Sequence, residues 1–422
     1  MPGTVYRLVF ADEKGRIFDH RFLRAAGRAG DRLVEISEGD LEVLPPGASL
    51  VLVPGGVPVG VGRAGRFTAL EKDPWKGGRV FAVAALLPQG YARTLLPAYA
   101  RPRGEGPLPL FGYTAVAWRG GTFYAAARKV EEPGTWDPAH YCTPDLPALV
   151  DKKLKACPQN RILKQLAKCA LEYSCYTAQN IFYGRWEGGV PVSPACNAGC
   201  VGCISLQPSE CCPSPQARIG FEPEVSEIVQ VAVPHLEGGE GAIVSFGQGC
   251  EGEPATAFKT LVAAVCEIRK RTGRGTINMN TNGSIPAAVT ELCRAGLDAV
   301  RVSLFSAREE YYRAYCRPRG FGLADVQNTL EAAAKAGAFT SLNLLVFPGF
   351  TDLEEEVRAL IELIAACGVK MVQLRNLNID PDLLWNSLPP IKGEALGIPS
   401  LISILKSVPG LEVGCYSRPK AG

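Results

Sequence analysis

The sequence predicts an α/β fold: a parallel sheet behind a smaller β-rich N-terminal region. Three observations carry this. Beyond residue 185, short apolar, β-branched runs alternate with amphipathic helical patterns. The helical stretches separate successive runs cleanly, so each connection crosses over and neighbouring strands run parallel. Nearly every run also ends in a polar or glycine-rich cluster, and in parallel α/β folds ligands gather at those strand ends. On this pattern alone, an open or partial barrel and a doubly wound sheet both remain possible.

Residues 1–135 read as short strands broken by Gly and Pro, as in "ASLVLVPGGVPVGVG", "GRVFAVAALLP" and "GTFYAAARKV". The stretch "LPAYARPRGEGPLPL" reads as a loop. Residues 136–184 form a helical connector, through "PDLPALVDKKLKA" and "PQNRILKQLAKCALEYSCYTAQNIFY". Residues 185–385 hold the alternation: a short strand near 190, then runs at 242–246, 276–280, 298–304, 340–347 and 370–374, giving six βα units. The helices between them include "EPATAFKTLVAAVCEIRKRTG", "GLADVQNTLEAAAKAG" and "DLEEEVRALIELIAACG". Residues 386–422 add a helix and a strand.

At 422 residues the chain is long for a single core. Its 47% hydrophobic and 21% charged residues describe an ordinary globular protein. Forty-five Lys and Arg against 42 Asp and Glu leave a net charge of +3, too balanced to indicate nucleic acid or an anionic membrane as partner. No apolar run reaches the roughly 18–20 residues of a membrane span. Charges in "MPGTVYRLVFADEKGRIFDH" occupy the place of a signal peptide's apolar stretch, so the cytoplasm is expected. In that compartment fifteen cysteines are not disulfides. Cys266, Cys293 and Cys367, in helical apolar patterns, are expected in the core. His235 is expected to be structural, in a helix-to-strand connection; His20 and His140 carry no assignment, nor do Cys142 and Cys157.

"PVSPACNAGCVGCISLQP" is different. Cys196, Cys200 and Cys203 fall within eight positions, among small residues that let the backbone curl tightly. All-thiolate ligation is soft and suits zinc or an iron–sulfur cluster. On a four-iron cube, three thiolates leave one iron open to a substrate or cofactor.

The ordered set of motifs resembles the radical S-adenosylmethionine (radical SAM) superfamily over roughly residues 185–385. Cys-x3-Cys-x2-Cys is followed by "GCEGEP", similar to that superfamily's Gly-Gly-Glu-Pro element and carried onto Gly252, Glu253 and Pro254. Then come "NTNG" (Asn280, Asn282), "VRVSLFSA" (Arg301, Ser303) and "SLNLLVFPGFTD" (Asn343). The resemblance implies a partial (β/α)6 TIM-like barrel. It implies a 4Fe-4S cluster on Cys196, Cys200 and Cys203, with S-adenosylmethionine on its open iron and held by Gly252, Glu253, Pro254, Asn280, Asn282, Arg301, Ser303 and Asn343. The implied reaction is reductive cleavage of S-adenosylmethionine to a 5′-deoxyadenosyl radical, which takes hydrogen from a substrate. An electron donor such as flavodoxin or ferredoxin is implied as partner, and the N-terminal region suits docking of a protein or peptide substrate.

Two positions depart from the superfamily pattern. Gly202 stands where an aromatic usually precedes the third cysteine, which leaves adenine packing to Ile204 or Phe246. Glu251 stands in place of the element's first Gly. Each motif also has a plainer reading. Glu253-Pro254 starts a helix, Asn280 and Asn282 make turns, and a buried Arg301 needs an anionic partner. Arg375, Asn376 and Asn378 divide equally between solvated loop and substrate contact. Cys169, Cys175, Cys211 and Cys212 are candidates for a second cluster. The competing functions are a glycyl-radical-enzyme activase, a non-catalytic iron–sulfur binding or redox-sensing protein, and a zinc site completed by Cys211 or Cys212.

Overall fold

The computed structural model describes residues 5–102, 104–207, 212, 214–239 and 241–420. Its centre is a curled, wholly parallel sheet in sequential order: β1 (Glu187–Gly189), β2 (Ile243–Phe246), β3 (Thr276–Thr281), β4 (Ala299–Leu304), β5 (Phe339–Val346), β6 (Met371–Asn376) and β7 (Glu412–Gly414). This is the half-barrel alternative, and the expected C-terminal strand joins it as the seventh. The inter-strand helices cover the outer face. Their apolar stripes, such as Leu261, Ala264, Val265 and Ile268 of Phe258–Arg271, are fully buried against the strands. Among the described residues no helix is long and apolar enough to cross a membrane.

The N-terminal region is antiparallel. Arg7–Asp12 pairs with Ile17–Ala29, Val80–Leu86 and Val116–Arg119 within a network of thirteen strands. Two stretches differ from expectation. The presumed loop at 96–110 contributes Leu96–Pro97 and Tyr99–Ala100, short strands that Pro tolerates because they lie at sheet edges. The helical pattern of 158–183 breaks into Arg161–Leu171 and Tyr176–Tyr183. Ser174 adopts φ 50° at the break, and the Cys175 N–H turns back to the Cys169 carbonyl. The first piece starts at Asn160, whose side chain accepts from the Leu163 N–H.

The antiparallel region sits on the carboxyl-end side of the half-barrel. Arg93 donates to the Leu377 carbonyl at 2.6 Å, Asn376 bridges Arg93 N–H and the Tyr91 carbonyl, and Asp380 accepts from the Leu108 N–H. Backbones approach closely at Gly349, where an added Cβ would stand 2.1 Å from the Gly30 nitrogen. His235 lies inside the helix Val225–Gly238, not in a connection. It is fully buried, with Nε2 2.8 Å from the Trp186 carbonyl just before β1. Burial pushes its pKa down to about 4, so the ring is neutral. Cys367 is buried as expected, whereas Cys266 and Cys293 are only half-buried.

Candidate functional site

A cavity of about 930 Å³ opens over the carboxyl ends of the strands. That lies toward the upper end of the ~300–1,000 Å³ usual for ligand sites. Its wall contains Cys196, Cys200 and Cys203, each half-buried, and all eight residues expected around the cofactor.

The clip follows β1 and is held from two sides. From one side, the carboxyl end of helix Glu309–Cys316 offers its free carbonyls. Gly199 N–H donates to Cys316 O and Val201 N–H to Tyr315 O, while the Asn197 carbonyl accepts from Arg319 N–H. From the other side, Gly252 N–H donates to Ser193 O and Glu253 N–H to Ala195 O. A Cβ at Gly252 would fall 1.9 Å from the Ala195 carbonyl oxygen, so only glycine permits this approach.

Glu253 is 4% exposed. Its Oε1 accepts from Thr281 Oγ1 (2.6 Å) and the Ala255 N–H, and its Oε2 from the Asn282 N–H (2.7 Å). Helix capping and a site role therefore coexist: three of about four acceptor directions are used and one is left. Burial raises its pKa against those three donors. Asn282 does make a turn, accepting from the Ser284 N–H, and also donates to Asn197 in the clip. Asn280 donates to the Gly247 carbonyl and accepts from Arg301.

Arg301 has the anionic partner its burial requires. Glu187 on β1 lies 3.2 Å away, and the same guanidinium donates to Asn280, Gln373 and Ser417. Burial would raise the Glu187 pKa, but Arg301 with the Ser245 and Ser417 hydroxyls holds it below the usual range. Arg301 is thus tied into the barrel wall. Ser303 and Asn343, directly paired across β4 and β5, face the cavity beside it.

Several contributors had no role assigned from the sequence. Glu251 accepts four backbone N–H groups, from Val192, Ser193, Gly247 and Gln248, and so ties the approach to the clip onto the β2 loop. Cys316 sits against Cys200, and its thiol is the main influence lowering the Cys200 pKa; burial raises that of Cys196. Arg218 places Nη2 3.6 Å from Cys203 Sγ. A side chain at Gly202 would begin 3.1 Å from Tyr315 Oη and 3.3 Å from Leu377, so the space of the usual aromatic is taken by Tyr315. That ring stacks on Phe305 at 4.4 Å. Of the two residues expected to pack adenine, Ile204 lines the cavity and is 42% exposed. Phe246 is fully buried, faces away from the cavity and is not available.

Cys169 and Cys250 are in thiol–thiol contact with Cys175 nearby, all three on the cavity wall; Cys212 is buried, and Cys211 lies outside the described residues. Among the described residues, no three Cys, His, Asp or Glu side chains form a group that would grip one metal ion. Thiolates on a cluster bind different irons, so they need not converge on a point. The soft donor set and the tight glycine-rich backbone fit such a group.

Residues 190–364 match the family model of the radical SAM superfamily. A probable GTP 3′,8-cyclase of Aeropyrum pernix is 40% identical over 81 residues, 19% of this chain and 22% of that protein. The GTP 3′,8-cyclase of Heliobacterium modesticaldum is 34% identical over 125 residues, 29% of this chain and 37% of that one. The matches thus span between about a fifth and just over a third of those relatives' length. Among solved structures, methylornithine synthase is 15% identical with a TM-score of 0.38, over 63% of this chain and 78% of that one.

Proposed function

We propose that the chain, whose residues 190–364 match the family model of the radical SAM superfamily, is an enzyme that cleaves S-adenosylmethionine reductively and uses the product radical on a substrate. One observation carries the reading: the three clip thiols and the Glu253 carboxylate line one cavity at the carboxyl ends of the strands. The superfamily uses a 4Fe-4S cluster and S-adenosylmethionine. Cys196, Cys200 and Cys203 would hold the cluster here. Bound there, the cluster would supply one-electron reduction of the sulfonium, releasing methionine, and the remaining adenosyl fragment would take a hydrogen atom from substrate.

The chain's own residues bind, orient and shield. Glu253 offers its remaining acceptor direction to an ammonium. Asn280, Asn282, Ser303 and Asn343 present neutral polar groups for the rest of the cofactor, and Tyr315 supplies an aromatic edge. The antiparallel region roofs the cavity through Gly47, Ser49 and Leu86–Gln89, which keeps water from the reacting atoms and makes it the surface a substrate meets first. A flavodoxin or ferredoxin would deliver the electron. The test is anaerobic reconstitution with iron and sulfide, reduction, and addition of S-adenosylmethionine. Formation of 5′-deoxyadenosine is expected; its absence after verified reduction would favour a non-catalytic iron–sulfur protein.

A further inference from the structure

Among the described residues, six charged side chains line the cavity: Glu187, Glu251, Glu253, Arg218, Arg301 and Arg375. Four have matched surroundings: Glu187 and Arg301 pair with each other, and Glu251 and Glu253 are covered by hydrogen-bond donors. Arg218 meets the Ser205 hydroxyl and the sulfur of Cys203, a clip thiol that would be anionic once it ligates a cluster. Arg375, on β6, has no such partner among the described residues. Its Nε, Nη1 and Nη2 reach the amide oxygens of Asn343, Gln89 and Gln373 at 3.3, 3.2 and 3.3 Å, three long contacts to neutral acceptors. Among the described residues no carboxylate lies within ion-pair distance of it. Burial, then the neighbouring positive charge of Arg301, push its pKa down. Yet the side chain retains accessible surface, and that surface faces the cavity. A guanidinium does not shed its proton in a protein. Left deep in the fold with Glu187 acting on it only from a distance, it destabilises the chain, and such a cost persists in evolved structures where a ligand relieves it.

We propose that Arg375, flanked by Asn343 and Gln89, is the seat of an oxyanion carried by the substrate, a carboxylate or a phosphate. This deepens the proposed function by assigning that substrate an anionic class. The guanidinium fork matches two oxygens of either group. Gln89 comes from the antiparallel roof, so the seat joins the two regions of the molecule and closes over what it holds. It lies on β6, whereas the thiols follow β1 and Glu253 follows β2; Asn343, on β5 between them, borders both the seat and the groups offered to the cofactor.

The test uses cluster-reconstituted protein and needs no turnover. Thermal unfolding is followed against inorganic phosphate and against acetate, with chloride at equal ionic strength as control, in wild type and in Arg375→Gln. S-adenosylmethionine affinity is measured by equilibrium dialysis on both. The wild type should gain stability with one of the two anions beyond chloride. Arg375→Gln should lose that gain, unfold at a higher temperature than the anion-free wild type, and keep its cofactor affinity within about twofold. An anion response that is absent in wild type or persists in Arg375→Gln overturns the seat. Loss of cofactor affinity by about tenfold or more in Arg375→Gln would give the seat to the carboxylate of S-adenosylmethionine and overturn the substrate assignment. Should Arg375→Gln not fold, Arg375→Lys keeps the charge without the fork and must weaken the anion response; an unweakened response overturns the proposal. If 5′-deoxyadenosine never forms while the anion response follows Arg375, the proposed function fails and the seat stands.

Discussion

The two rims of the cavity are built by opposite rules. At the β1–β3 rim every buried charge is met: Glu251 by four backbone N–H groups, Glu253 by three donors, Glu187 by Arg301 and two hydroxyls. At the β5–β6 rim a guanidinium faces neutral amide oxygens at hydrogen-bond distances near their outer limit. A saturated network fixes geometry, because each deletion strands a partner. An unsaturated one keeps capacity in reserve for something that arrives. On the proposal for Arg375, the first rim is a frame for the clip and the second a receptor.

The largest test of the frame is Cys200→Ala. It removes the middle thiol of the clip. The variant should assemble no complete cluster, judged by iron content and the charge-transfer absorption near that of iron–sulfur proteins, and form no 5′-deoxyadenosine above background, while the antiparallel region stays folded by circular dichroism. A full cluster in this variant would remove the clip assignment. Next comes Glu251→Ala. Stranding four backbone donors at roughly 1–3 kcal/mol apiece, with partial relaxation, should cost the chain at least about 3 kcal/mol in denaturant unfolding. Cluster content should fall with it, since Val192 and Ser193 lead directly into Cys196.

The frame should also be the acid-sensitive rim. His235 holds the Trp186 carbonyl immediately before β1, and its pKa is about 4 against 6.5 for the free side chain. Between those values the unfolded chain binds the proton and the folded chain does not. Stability contributed by the neutral ring is therefore complete above pH 6.5 and is lost as pH falls toward 4, by about 3 kcal/mol at most. Unfolding measured at intervals from pH 7 to 4 should show this slope in wild type. It should be flatter in His235→Gln, whose amide can still donate to the carbonyl without titrating.

What the sequence reveals about the two rims differs for a physical reason. The six strands leading to β6 were legible because parallel strands buried on both faces read as unbroken apolar runs, and the thiol clip because its three cysteines share one short loop. Glu253, Asn280 and Asn282 were legible as parts of that ordered pattern. Glu251 looked like a defect in the motif, since its partners at Val192 and Ser193 lie 59 and 58 residues away. Cys316, Tyr315, Arg218 and Gln89 reach the cavity from separate elements, and no local spacing marks them. Phe246 was misplaced because the strand pattern does not say which of its two faces looks inward. The receptor rim is the harder to read, because Arg375 meets Gln89 across 286 positions and two regions of the fold.

The smallest effect expected distinguishes the rims by their dependence on the roof. Gly349 follows β5, with φ 86°, and packs backbone to backbone on Gly30 of the antiparallel region, whose N–H donates to the Pro348 carbonyl at 2.8 Å. Gly349→Ala places a methyl 2.1 Å from the Gly30 nitrogen and forces a non-glycine residue into a left-handed conformation. The cost should be about 2 kcal/mol, because rigid backbone can yield only by moving the roof away. Hydrogen exchange should therefore rise at Gly30 and around Tyr91–Arg93 while the Glu251-bonded amides of Val192 and Ser193 stay protected. The anion response assigned to Arg375 should weaken, because Gln89 moves with the roof, while cluster content and cofactor affinity hold. Equal loosening at both rims would show that the frame depends on the roof too, and the contrast between frame and receptor would not survive it.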